Sequence, residues 1–223
     1  MVDISLQRKN MVESQVRPND ITDRRIIRAM AKLPRELFLP QAVRPIAYMD
    51  EDIPLSSSNA TGSVRALMAP RSFAKLVQLA DISETDIILD VGTATGYSAA
   101  VLANLCETVV ALEADNGLAV DATKLLEELA IDNVVVVEGE LEAGFPDEGP
   151  FDAIVIEGTI SQLPEALLDQ LKDGGRLVAV VDSGPVSHAT IWRRIGANFD
   201  SRVAFDVGAP PLPGFEKPQA FTL

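Results

Sequence analysis

Four acids and one glycine turn carry most of the chemistry this sequence offers. The apolar run Ile87-Ile88-Leu89-Asp90-Val91 leads into Gly92-Thr93-Ala94-Thr95-Gly96, and helix formers follow from Tyr97 to Ala103. The glycines permit a tight turn and a close approach of backbone to a ligand. The helix that follows presents unpaired N–H groups at its start. Glu113 ends the next apolar run, roughly 20 residues on, where a carboxylate can accept both hydroxyls of a ribose. Asp90, at its strand end beside the turn, is positioned to meet an amino group directly or through water. Glu140, in Gly139-Glu140-Leu141, and Glu157, before Gly158-Thr159-Ile160-Ser161, each follow a later apolar run. Glu157 suits either a cationic substrate group or the holding of a loop. Together these residues describe a nucleotide-like ligand site. Gly92-x-Ala94-x-Gly96 does not supply the G-x-G-x-x-G pattern of a dinucleotide fingerprint.

Positioning such residues requires alternating strands and helices. We expect strands over Asp86–Gly92, Thr108–Glu113, Asn133–Val137, Phe151–Glu157 and Arg176–Val181. Helices are expected over Gly96–Leu105, Asn116–Ala130 and Pro164–Leu171. The strands are short and almost wholly apolar, as in a parallel sheet covered on both faces. The fold class is therefore α/β, a doubly wound, mostly parallel, seven-stranded sheet. Ser187–Ile195 reads as a helix, with His188 on its surface and Trp192 packed on the sheet. Arg202–Val207 reads as a strand and Ala220–Leu223 as the last one, giving an antiparallel C-terminal hairpin joined by the rigid connector Gly208–Gly214. Residues 1–65 read as a helical cap and polar loop, with Asp23 supplying a helix N-cap before Ile26, Ile27 and Met30. Residues 66–223 read as the ligand-binding domain, its first helix starting near Ala69-Pro70, and the whole as one compact unit.

Bulk properties narrow the function. The 223 residues carry 19 Lys and Arg against 33 Asp and Glu, a net charge of −14. Such a surface repels phosphate backbones and anionic lipid, so neither nucleic acid nor membrane is an expected partner. Cys106 is the single cysteine and His188 the single histidine, so no intrachain disulfide or multi-histidine metal site is expected. Cys106 reads as a small buried residue. The N-terminus has no apolar secretory core, and no run of about 18 apolar residues occurs. A cytoplasmic protein, monomeric or homodimeric, is the expectation.

Several blocks resemble one enzyme family. Met11-Val12-Glu13-Ser14-Gln15-Val16-Arg17, Leu33-Pro34-Arg35-Glu36-Leu37-Phe38-Leu39-Pro40 and Ala47-Tyr48 look like the N-terminal signature of protein-L-isoaspartate O-methyltransferases. The resemblance continues through Ile87–Ala103, Phe151–Ile156, Leu163–Leu168 and Leu171–Val178, covering most of residues 11–182. It implies a class I methyltransferase using S-adenosylmethionine (SAM), whose G-x-G-x-G turn is similar to Gly92-x-Ala94-x-Gly96 with alanine at the centre. That alanine is tolerable at negative φ and costly at positive φ. The resemblance implies cofactor contacts from Asp90, Gly92, Thr93, Ala94, Gly96, Tyr97, Glu113, Ala114, Glu140, Leu141 and Glu157. Glu140 stands where the family has an Asp that takes the adenine amino group. Glu157 replaces a small residue.

One segment departs from the family. Where the pattern is Gln-Thr-Ile-Ser-Gln-Pro, with hydroxyls that contact the acceptor carboxylate, this chain has Arg65-Ala66-Leu67-Met68-Ala69-Pro70. Met68 takes the serine position and Ala66 the threonine position, and the polar loop Ser56–Ser63 before them is longer than in the family. Arg65 is the candidate replacement, a charge-assisted clamp for a carboxylate. The resemblance thus implies methylation of an isoaspartyl carboxylate in damaged protein. The alternatives are a different protein or small-molecule acceptor, or a SAM-binding protein without that activity.

Overall fold

The computed structural model describes residues 3–55 and 65–216. The Ser56–Ser63 loop and the expected strand Ala220–Leu223 lie outside the described residues. Helices α1 (Ile4–Met11) and α2 (Arg24–Lys32) open the chain. Asp3 caps α1 by accepting from the Ser5 and Leu6 amides at 3.0 and 3.2 Å, and Asp23 caps α2 by accepting from the Arg25 amide at 2.8 Å. Short 3₁₀ turns follow to Ile46. A two-residue pairing joins β1 (Ile53–Pro54) to β2 (Ala66–Leu67), and helix α3 (Pro70–Leu79) starts with proline at its first position.

The remainder alternates: β3 (Ile87–Val91), α4 (Tyr97–Leu102), β4 (Thr108–Glu113), α5 (Asn116–Glu128), β5 (Val134–Glu138), β6 (Phe151–Ile160), α6 (Glu165–Asp169), β7 (Leu171–Asp182), β8 (Ser187–Ile195) and β9 (Asn198–Asp206). One seven-stranded sheet runs β5-β4-β3-β6-β7-β8-β9. Its first five strands are parallel; β8 pairs antiparallel with β7, and β9 pairs antiparallel with β8. This is the class I methyltransferase fold, doubly wound as expected. The strand order reverses at β3/β6, so the crevice beyond their carboxyl ends is the place for a ligand. One apolar cluster joins the cap to a sheet face through Met30, Phe38, Phe73, Ala100 and Val155, and a second fills the other face around Leu89, Ile154 and Leu177.

The sequence misplaces one element. Ser187–Ile195 is not a helix but strand β8, hydrogen-bonded to β7 on one side and β9 on the other. Its β-branched Thr190 and Ile191 suit a pleated surface, and two-sided pairing outweighs the segment's weak helical pattern. His188 therefore sits on a strand, with Nδ1 2.8 Å from Asp206 Oδ1. Strand β6 runs three residues past Glu157, with a register break against β7 between Val155 and Thr159.

Candidate functional site

The site is built at the carboxyl ends of β3, β4 and β6. Gly92 (φ +84°), Ala94 (φ +53°) and Gly96 (φ +89°) shape the turn, so Ala94 occupies the left-handed region that its Cβ disfavours. What holds it there is visible: the Ala94 amide donates to Glu113 Oε2 at 2.7 Å. Thr95 Oγ1 donates to the Phe38 carbonyl at 2.6 Å, tying the turn to the cap.

Glu113 is completely buried and fully engaged. Its Oε1 accepts from the Ala114 and Asp115 amides at 3.0 and 3.1 Å. Its Oε2 accepts from Ala94 and from Arg65 Nη2, the latter also at 2.7 Å. Arg65 is only 3% exposed, and the same nitrogen donates to the Gly92 carbonyl at 2.9 Å. Arg65 thus faces Glu113 and the glycine turn.

Beside this pair lies a small chamber lined by Arg35, Met68, Phe73, Thr93, Tyr97 and Glu157, among others, with a volume of about 10 Å³. Asp90 lies behind it, its Oδ2 accepting from Ser98 Oγ at 2.7 Å. Asp90 Oδ1, Glu157 Oε1 and the Tyr97 hydroxyl are buried without a hydrogen-bond partner among the described residues. Burial pushes the Asp90 carboxyl up to about 7 against the opposing hydroxyls of Ser98 and Thr93. Burial, and then the neighbouring Asp90, hold Glu157 well above the usual carboxylate range. The break in β6–β7 register at Glu157 is the kind of local irregularity that re-aims a side chain beside a site.

Two residues that the sequence did not single out complete the enclosure. Arg35 is fully buried, donating from Nε to the Ala47 carbonyl (2.9 Å) and from Nη2 to the Met68 carbonyl (2.8 Å), with its guanidinium 4.8 Å from the Tyr97 ring centre. It belongs to the Leu33–Pro40 block. Leu212, in the Gly208–Gly214 connector, lies over the turn, and a Cβ added to Gly92 would meet Leu212 Cδ1 at 2.8 Å. Hydrogen bonds from the Thr159 amide to the Pro210 carbonyl (2.7 Å) and from the Leu212 amide to the Thr159 carbonyl (2.9 Å) pin this connector to the end of β6. The connector is therefore a strap across the site as well as a link.

Of the residues read from sequence, Arg65, Met68, Asp90, Gly92, Thr93, Ala94, Gly96, Tyr97, Glu113, Ala114 and Glu157 gather around this turn. Glu140 is exposed at the start of a 3₁₀ turn, and Leu141 is buried in the second apolar cluster. Cys106 is half-buried, with its thiol pushed up to about 12 by burial, which suits packing rather than nucleophilic work.

Comparison with known proteins agrees with this architecture. The family model described as Protein-L-isoaspartate(D-aspartate) O-methyltransferase matches residues 6–204. The chain belongs to this family. The protein-L-isoaspartate O-methyltransferases are SAM-dependent enzymes. The chain is 38% identical to Protein-L-isoaspartate O-methyltransferase 1 of Syntrophobacter fumaroxidans over 81% of its length and 82% of the relative's. It is 36% identical to the Herpetosiphon aurantiacus enzyme over 93% and 90%. A solved Plasmodium falciparum protein, described as a protein-L-isoaspartate O-methyltransferase in complex with S-adenosyl-L-homocysteine, shares the fold. It superposes with a TM-score of 0.75 at 22% identity, covering 93% of this chain and 98% of its own.

The donor chemistry of the site suits SAM. Two buried acids with unpartnered oxygens match a cationic amino-acid end, and a strand-end glutamate matches a ribose. Among the described residues, four donors fill the acceptor positions of Glu113 and the small chamber beside it has room for about one water at most, so a ribose would have to displace one of those donors.

Proposed function

We propose that this chain methylates a carboxylate, that of an isoaspartyl residue in damaged protein, by direct in-line transfer. The observation that carries this reading is the family match over residues 6–204, which spans both the cap and the glycine turn. When bound, SAM supplies an electrophilic methyl group. A carboxylate acceptor is already ionised at neutral pH, so no general base is required. The protein's task is to bind, align and exclude water. Asp90, Gly92, Thr93, Ala94, Gly96, Tyr97, Glu113, Ala114, Glu140, Leu141 and Glu157 are the residues we assign to the cofactor side. Met68 borders the acceptor side. With Arg65 turned to Glu113, Arg35 is the guanidinium that lines the chamber beside it.

We read residues 1–65 as the cap and 66–223 as the methyltransferase domain. The two act as one unit because β1 and β2 pair across that boundary and share an apolar cluster. A protein or peptide acceptor, a monomer or homodimer and a cytoplasmic setting complete the reading. No helix of the described residues is long and apolar enough to cross a membrane.

A second reading has its own support. Ala66 and Met68 offer no hydroxyl to an acceptor carboxylate, and Glu157 brings an acid with a free oxygen to the chamber. That combination suits a cationic acceptor, small molecule or peptide. Incubating the chain with methyl-labelled SAM and an isoaspartyl peptide decides between them. We expect base-labile methyl ester on the peptide. Label that resists base, or label only on amine-bearing acceptors, would reject the carboxylate reading.

A further inference from the structure

We propose that Arg65 is an internal occupant of the ribose position, so that this chain takes up SAM only by releasing the Arg65–Glu113 pair. The proposal deepens the methyl-transfer reading and rests on it. A ribose diol needs acceptor lone pairs on Glu113, and here those of Oε1 go to the Ala114 and Asp115 amides while those of Oε2 go to the Ala94 amide and Arg65. The three backbone amides belong to the architecture of the turn and of the β4 end. Among the described residues Arg65 is the one side-chain donor to Glu113, and it comes from outside the sheet, just before β2.

Arg65 also covers the glycine whose bareness a ligand would exploit. Its Nη2 lies 3.1 Å from a Cβ built on Gly92, and Leu212 Cδ1 lies 2.8 Å from the same point. The close approach that Gly92 permits is therefore made by the chain itself. Both ends of the ion pair are buried, at 3% and 0% exposure of the side chains. Solvent does not weaken the pair, and a ligand must displace it rather than dock beside it. The apparent affinity for the cofactor is then the intrinsic affinity multiplied by the small fraction of molecules with Arg65 withdrawn. The resemblance supplies the matching variant: the family motif has glutamine where this chain has Arg65.

The test is direct binding of S-adenosyl-L-homocysteine by calorimetry to the full chain and to Arg65→Gln. We expect Arg65→Gln to bind at least ten-fold more tightly. Equal or weaker binding by the variant would overturn the proposal. Because removing Arg65 leaves Glu113 buried without its cation, a second measurement uses the unaltered chain. The Arg65 Nε–H signal in a nitrogen-correlated NMR spectrum, assigned by its loss in Arg65→Lys, should shift or vanish when S-adenosyl-L-homocysteine saturates the protein. An unmoved signal at saturation overturns the proposal. Comparable binding by both proteins defeats this inference alone, whereas absence of binding by both defeats it together with the methyl-transfer reading.

Discussion

At the scale of the residue, the turn holds a conformational cost that sequence could only pose as a question. Ala94 sits at φ +53° because its amide is needed by Glu113, and left-handed backbone costs an L-residue on the order of 1 kcal/mol. Ala94→Gly removes that cost but makes the unfolded chain more flexible. The net expectation is a gain of about 0.5 kcal/mol, or roughly 1–2 °C in melting temperature for a chain of this size. Thermal melts of the two proteins decide it, and a variant that melts lower would show that the alanine methyl packs favourably. Asp90 carries a second expectation. Its folded carboxyl, at about 7, binds its proton more tightly than an ordinary aspartate in the unfolded chain does. The native state therefore holds more protons across that window, and stability falls as pH rises through it. Glu157 acts in the same direction. Asp90→Asn cannot titrate. Its melting temperature relative to the parent chain should rise by several degrees between pH 5 and pH 8, and a difference independent of pH would refute the assignment.

At the scale of the element, legibility followed from how local each signal was. The β3–turn–α4 unit was plain because a continuous apolar strand, two glycines and helix formers are contiguous in sequence. Strand β4 matched residue for residue, Thr108–Glu113, because its apolar run ends at Glu113. Strand β8 was misread because its pairing partners, β7 and β9, decide its conformation, and nine residues with mixed periodicity do not. A cue was present: Gly196, at φ +61°, sits between Ile195 and Asn198, which pair, so Gly196-Ala197 is a two-residue hairpin turn. The strap was legible as rigid, from its prolines, but not as a cover, because Leu212 meets Gly92 only through the fold. The Arg65–Glu113 pair spans 48 positions, and no spacing rule joins residues so far apart. From the sequence, Arg65 reads as a clamp for the acceptor's carboxylate; in the fold it pairs with Glu113. Its partner turned out to be within the chain.

At the scale of the whole molecule, net charge bears on which acceptors reach the site. With 33 acidic against 19 basic residues, the surface field is negative. An isoaspartyl peptide brings its own carboxylate, so the field opposes encounter with acidic peptides and favours basic ones. The effect belongs to the summed charge rather than to one contact, so salt should erase it as the Debye length shrinks from about 30 Å at 10 mM to about 3 Å at 1 M. The comparison is between two isoaspartyl peptides alike except for flanking lysines or flanking aspartates. At ~10 mM salt, kcat/KM should favour the lysine peptide by roughly ten-fold, mostly through KM, and at ~0.5 M the ratio should approach one. The salt dependence separates a field from a pocket. A preference that survives high salt would place the discrimination in a buried contact, with Glu157 in the chamber as the residue to substitute next, and would show that the surface charge does not select the acceptor.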